Sequence, residues 1–204
     1  MRIPLPADFY DTDFSVSGRL EGRSYSVKVI DQANAVDVHP IPESDIDELL
    51  ARFSFLSLAE DGNTIRIAPG SWEVPSVIAL PEGYALQAGP GTSLYFAKDA
   101  ALISRGNVFF DGTADAPVQL FPQAGVDSWL GFVAFAADKR SRWQHVQVQD
   151  TRGVQLGIWK LMGGTNFYRN SVDISDTSIM HHKGEDGLNI ISSDFLTTNL
   201  QIVD

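Results

Sequence analysis

The chain has 204 residues, which suits one domain or one domain with a small appendage, and at 44% hydrophobic it can bury a substantial core. A formal charge of −11 excludes nucleic acid and anionic membrane surfaces as natural partners, because both require a basic footprint. Polyanionic polysaccharides are disfavoured unless calcium or a local basic patch mediates the contact, while neutral glycans, proteins and cations stay open. There are no cysteines, so disulfides, thiolate metal sites and cysteine nucleophiles are excluded, but the compartment is not fixed. No run has the length of a transmembrane helix, so membrane insertion is not expected.

The opening "MRIPLPADFY" lacks the basic-then-apolar pattern of a signal peptide, which leaves secretion open, because a removed signal would leave the same appearance. Residues 1 to 60 are mixed. "SYSVKVI" (24–30) alternates as a strand does, and "IPESDIDELLARFSFLSLAED" follows. In that second stretch Ser44 can cap a helix over 44–58, acids fill its first turn, and Ile46, Leu49, Leu50 and Phe53 recur at helical spacing. The competing reading of its second half, "RFSFLSL", is a period-2 strand.

From Thr64 the pattern changes to short apolar runs bounded by turn residues: "TIRIAPG", "SVIALPEG", "YALQAGPG", "SLYFAKD", "ALISRG", "NVFFDGT", "PVQLFP", "GFVAF", "HVQVQD", "VDISD", "LNIIS" and "LQIVD". Helical periodicity has almost nowhere to fit, so 61–204 is expected to be all-β. An internal repeat narrows the architecture. Val146-x-Val148-x-Asp150 returns as Val172-x-Ile174-x-Asp176 and as Leu200-x-Ile202-x-Asp204. A period in the twenties suits three short strands per turn, which is a parallel β-helix of five to six rungs. Val148, Ile174 and Ile202 are then expected to stack inside, with Gln147, Asp173 and Gln201 outside. The 1–60 region is expected to cap the first rung. "LQIVD" ends without a cap, so the expectation is a coil that continues, or a partner that covers it, within a larger protein or assembly.

The stretch 65–120 resembles the opening rungs of right-handed parallel β-helix proteins of the pectate-lyase-like superfamily. Pro81, Gly83, Leu86, Gly89, Gly91, Thr92, Leu94 and Phe96 fit one of its patterns, and Gly106, Val108, Gly112, Thr113, Pro117 and Val118 fit the next. "GGTNFYRNSVDISDTSIMHHKGEDGLNIISSDF" is similar to β-helical segments of bacterial proteins related to spore coat protein H, with Gly187 in place of a small alanine. The first resemblance implies the fold and admits lyases, hydrolases, adhesins and inert scaffolds. Neither supplies a catalytic motif.

Four groups of residues carry candidate chemistry. Asp150, Asp176 and Asp204 form an apparent ladder whose stacked carboxylates would take calcium, or else each makes an Asx-turn. The crowded "HHKGEDG" offers His182, Lys183 and Asp186, but its adjacent histidines lack the spacing of a zinc helix, and Gly184 and Gly187 bracket it as a turn. Asp173 with Asp186 is the carboxylate pair a glycoside hydrolase would use, and Lys183, Arg169, Arg152 and Lys160 are the cations a lyase would use. Trp129 and Trp143 are expected in the core. Trp159, Lys160 and Arg169 in or beside the long turn 153–168 are the expected ligand contacts. The leading expectation is a non-catalytic scaffold or binding module for a polysaccharide or protein, in an extracellular or cell-surface setting. The alternative is a carbohydrate-active lyase or hydrolase.

Overall fold

Side chains alternating in and out of short extended runs make strands, and strands with bends between them must fold back onto one another. The computed structural model describes residues 14–20, 23–29, 44–156 and 159–204, with the backbone alone for 14–20, 23–29, Leu156 and Trp159. Among the described residues the fold is all-β apart from one short helix. It divides into two compact units, Met1–His39 and Pro40–Asp204.

In the first unit β1 (Phe14–Leu20) and β2 (Arg23–Val29) form an antiparallel hairpin. β2 is the strand expected from "SYSVKVI"; β1 was not read from the sequence.

The second unit begins with helix α1 (Ile46–Arg52). Its N-cap is Asp45, not Ser44: the Asp45 carboxylate accepts from the backbone N–H of Asp47 at 2.8 Å and of Glu48 at 3.4 Å. The helix is also shorter than the 44–58 expected, because Phe53 turns to an extended conformation and closes the last turn onto Leu49. β3 (Leu56–Leu58) follows and pairs antiparallel with β4 (Thr64–Ile67). Both halves of the stretch are therefore used, helix first and strand second. Between β3 and β4, Asp61 accepts from the N–H of Asn63 and Thr64, each at 2.9 Å, and from the Thr64 hydroxyl at 2.7 Å. These donors, led by the Asn63 N–H, hold its carboxyl below its ordinary pKa.

The next strands are β5 (Gly70–Val74), β6 (Ile78–Ala79), β7 (Ala85–Ala88), β8 (Thr92–Phe96), β9 (Ala101–Ser104), β10 (Val108–Asp111), β11 (Val118–Pro122) and β12 (Gly131–Phe135). They are followed by β13 (Ser141–Gln144), β14 (Val146–Gln149), β15 (Val154–Leu156), β16 (Trp159–Leu161), β17 (Gly163–Tyr168), β18 (Val172–Met180), β19 (Asp186–Ile191) and β20 (Phe195–Val203). Three stacks of parallel strands result. The first runs β4-β7-β10-β13 and continues into the front half of β18 and of β20. The second runs β5-β8-β11-β14 and then takes the rear halves of the same two strands. The third is β6-β9-β12-β17-β19. The chain visits the three stacks in the same order on each circuit, while β15 and β16 form an antiparallel hairpin outside them.

The register corrects the expected stacking. Val148 pairs with Ile179, and Ile179 with Ile202, whereas Ile174 lies between Trp143 and Thr197 on the first stack. Ile202, expected inside, is exposed, because β20 has a neighbouring strand on one side alone among the described residues. β18 passes through a corner and belongs to two stacks, so the motif at 172–176 and the motif at 146–150 occupy different faces. The corners are marked by non-glycine residues in the left-handed region: His145, Asp176 and Asn199 after the first stack, Asp150 and His181 after the second, Ala136, Arg169 and Ser192 after the third. Asp, Asn and His tolerate that conformation better than most residues.

Inside, Leu94, Leu120, Val148 and Ile179 form one column, and Ile78, Leu102, Phe132 and Thr165 another, all of them buried. Each aliphatic or Phe side chain contributes about 1.5–3 kcal/mol by leaving water. Trp129 and Trp143 are core residues, as expected: Trp129 stacks on Phe96 at 3.9 Å, and Trp143 on Phe110 at 5.3 Å between ring centres. Leu49 and Phe53 join the same core. A buried polar junction ties successive circuits together: Ser141 Oγ donates to Asn170 Oδ1 at 2.6 Å and accepts from Val108 N–H at 2.9 Å, while Asn170 Nδ2 donates to the Gly106 carbonyl at 3.0 Å. Gly106 packs so close to the Tyr84 carbonyl that a Cβ would overlap it.

Candidate functional site

The corner after the second stack is where the chain departs from its circuit. Gly153, at φ +97°, starts the β15–β16 hairpin, and a Cβ there would press on the Leu161 carbonyl. Val154 and Leu161 of the hairpin pack on Ala101, Ile103, Leu130 and Val133 of the third stack. Between the hairpin and the corner lies an open cleft of about 750 Å³, whose charged lining is Asp99, Arg152, Lys160, Lys183 and Glu185. The long turn expected at 153–168 is thus half excursion and half regular strand, since β17 resumes the third stack at Gly163.

Arg152 is fixed from several sides. Its Nη2 meets Asp99 Oδ1 at 2.6 Å, and its Nη1 donates to the Lys98 carbonyl at 2.6 Å and the Ser128 carbonyl at 3.2 Å. Lys183 is held by its backbone, whose N–H donates to the Thr151 carbonyl at 2.6 Å, and its Nζ lies 4.0 Å from Asp150 Oδ1. Glu185 is anchored by its N–H on the Met162 carbonyl at 3.2 Å. Lys160 is exposed on β16. The result is one immobilised guanidinium and two exposed ammonium groups, with carboxylates on the cleft's edges. Such a lining offers donors to an incoming anion or hydroxyl group.

Of the residues expected to matter, Lys160, Lys183 and Arg152 come together here. Trp159 is adjacent on β16, paired in register with Leu156; its side chain lies outside the described residues. Arg169 does not join them, because it occupies a corner after the third stack and is exposed there. Asp173 lies on the outer face of the first stack, bonded by Arg140 Nη1 at 2.9 Å. Asp186 opens β19 on the third stack, in register with Gly163. The pair Asp173 and Asp186 is therefore split between two stacks. His182 is half-buried, with Nδ1 at 3.4 Å from Asp204 Oδ1 and its ring against Gly187, while its neighbour His181 is exposed at the corner.

The aspartate ladder is not formed. Gln149 pairs with Met180 and Met180 with Val203, so the following residues Asp150, His181 and Asp204 share a column, with a histidine between the carboxylates. Asp176 belongs to the preceding corner, where Asn199 Nδ2 donates to it at 2.8 Å and His145 Nε2 lies 4.0 Å away. Stacked carboxylates were the basis for expecting calcium, and among the described residues no group of three His, Asp or Glu side chains is placed to hold a metal ion. Asp99 is the cleft residue that the sequence did not point to. It is 53 positions from Arg152, and no local pattern joins them.

Comparison with protein-family models, with curated proteins and with solved structures gives no match.

Proposed function

We propose that this chain is a right-handed parallel β-helix acting as a non-catalytic scaffold or binding module, with the cleft beside the β15–β16 hairpin as its contact surface for a glycan or protein. The coil reading is supported by three parallel stacks visited in constant order, which is how a three-strand-per-turn solenoid is wound. One observation carries the functional reading. The cations Arg152, Lys160 and Lys183 converge on the cleft, where Arg152 holds Asp99, whereas the expected carboxylate pair Asp173 and Asp186 is split between two stacks, with Asp173 bonded to Arg140. Excursions from a regular coil are free to vary, because stacking fixes the strands but not the loops, and the cleft is built on the largest hairpin excursion described.

The test is a panel of soluble polysaccharides, with and without calcium, followed for binding and for new unsaturated or reducing ends. The expected result is binding without turnover, weakened about tenfold by the double change Lys160→Ala and Lys183→Ala. Turnover that disappears in Lys183→Ala or Asp173→Ala overturns this reading in favour of a carbohydrate-active enzyme.

A further inference from the structure

The outer face of the second stack carries a pattern unlike the rest of the surface. In register, Ser71, Ser93, Gln119, Gln147, Ser178 and Gln201 form one unbroken outward column over six rungs. Successive members bond to each other: Ser93 Oγ donates to Gln119 Oε1 at 2.9 Å, and Gln119 Nε2 donates to Gln147 Oε1 at 3.0 Å. Beside this column, in register, lie exposed Glu73 at the first rung and then Tyr95 and Phe121, half-buried and edge-on to one another with ring centres 6.5 Å apart. At the lower end, Gln147, Ser178 and Gln201 border a shallow hollow of about 140 Å³ with Asp176 and Asn199.

We infer that this face binds a neutral, hydroxyl-rich glycan chain lying along the stack, apart from the cleft. Three features select that occupant. The first is charge: the column has none, although the chain carries −11 and the neighbouring first stack presents Arg66, Arg142 and Asp173 outward at its own rungs. A polyanion is repelled by the whole chain, and a polycation finds no carboxylate row here. The second is the donor–acceptor repeat. Amides and hydroxyls recur at ~4.8 Å per rung, so six rungs extend about 24 Å. That repeat is close to the length of one sugar ring in an extended glycan, and amides both donate and accept, as sugar hydroxyls do. The third is the pair of rings, whose faces and edges suit the apolar C–H side of a pyranose. A protein interface would instead have an apolar centre, and the middle rungs of this column are amides. In the hollow, the Asp176 carboxylate, oriented by Asn199, can accept from a sugar hydroxyl while the Gln147 and Ser178 side chains flank it.

The experiment is titration calorimetry with cellohexaose, xylohexaose and mannohexaose, and with hexagalacturonate as the acidic control. At least one neutral hexamer is expected to bind, and Tyr95→Ala and Gln147→Ala each to weaken it about tenfold. Gln119→Glu, which keeps size and shape while adding charge, is expected to weaken it as well, with melting temperature and circular dichroism unchanged. Arg140→Ala, a control on the neighbouring first stack, should bind the neutral hexamer as the wild type does, whereas a loss in the Lys160→Ala, Lys183→Ala double variant would assign the binding to the cleft instead. The inference is overturned if no neutral hexamer binds, if hexagalacturonate is preferred, or if affinity follows the lysines and not Tyr95, Gln119 and Gln147. It is equally overturned if substitutions on this face change only the capture of a protein partner.

Discussion

The second and third stacks are made of strands of similar length, yet they bury different amounts of themselves. On the second, β8 and β11 alternate buried and half-buried residues, as in Thr92-Ser93-Leu94-Tyr95-Phe96. On the third, β9 is buried at every position and β12 at all but its last. One-sided burial produces period-2 alternation, and two-sided burial produces a continuous apolar run. The difference is written in the residues: "TSLYF" and "VQLFP" alternate, whereas "ALIS" and "GFVAF" do not. Ile103 and Val133 point away from the main core and join a second apolar cluster with Val154 and Leu161 of the hairpin. The excursion therefore does two jobs, since it covers one sheet face and frames the cleft.

A paired substitution tests this contrast most severely. Val133→Asp on the third stack places an unpaired carboxylate where no water reaches, and is expected to cost at least about 5 kcal/mol, enough to abolish cooperative folding. Gln119→Asp on the second stack is expected to stay within about 0.5 kcal/mol of the wild type. Urea unfolding followed by circular dichroism separates the two outcomes, and equal losses would remove the distinction between the faces. Phe132→Ala, on the inner side of the same β12, is expected to cost about 3–5 kcal/mol through the cavity left among Phe110, Trp143 and Phe167.

Val154→Ala thins the contact of the hairpin with the third stack and is expected to cost about 1–2 kcal/mol. If the hairpin frames the cleft, the same change should also lower affinity for whatever Lys160 and Lys183 hold. An unaltered affinity would show that the two roles are separable.

The first stack supplies a milder control. Arg142 makes two bonds to Asp111, at 2.6 and 2.8 Å, which raise its already high pKa, but its side chain is 54% exposed. Arg142→Ala should cost only about 0.2–1 kcal/mol, and the loss should fade at high salt. The smallest effect belongs to Asp61. Its folded pKa lies below the ordinary carboxylate value, so its contribution is present above that ordinary value and is lost as pH falls through the lowered one. Asp61→Asn is therefore expected to lower stability slightly above the ordinary carboxylate range and so to flatten the acid limb, with stability below the lowered value less changed. An acid limb that steepens would refute the assignment.

Much of the fold was legible because burial alternation is local. Every apolar run read from Thr64 onward contains a strand, and Gly184 lies in a bend as expected, whereas Gly187, expected to bracket the same turn, is already inside β19. Five strands of the stacks and hairpin, β5, β13, β15, β16 and β17, escaped notice. "GSWEV" and "SRWQ" carry tryptophans that read equally well as turn or strand, and the hairpin has no Asn-Gly or Asp-Gly signal. The candidate site was half legible: Lys160, Lys183 and Arg152 were suspected from their chemistry, while Asp99 was beyond any local pattern.

By itself, the sequence determined that 61–204 is all-β, which residues alternate inward along most runs, though not Ile202 on the exposed last strand, and where most turns fall, because these follow from period-2 alternation and backbone preferences of single residues. Which face each run occupies was decided only by the tertiary structure. Apolar-x-apolar-x-Asp is equally compatible with the first stack at 172–176 and the second at 146–150, and nothing within five residues distinguishes them. The choice is made by the closure of whole circuits, in which β18 must turn a corner at Asp176 before Ile179 can settle on Val148. That single requirement dissolves the aspartate ladder, separates Asp173 from Asp186, and aligns the uncharged column from Ser71 to Gln201.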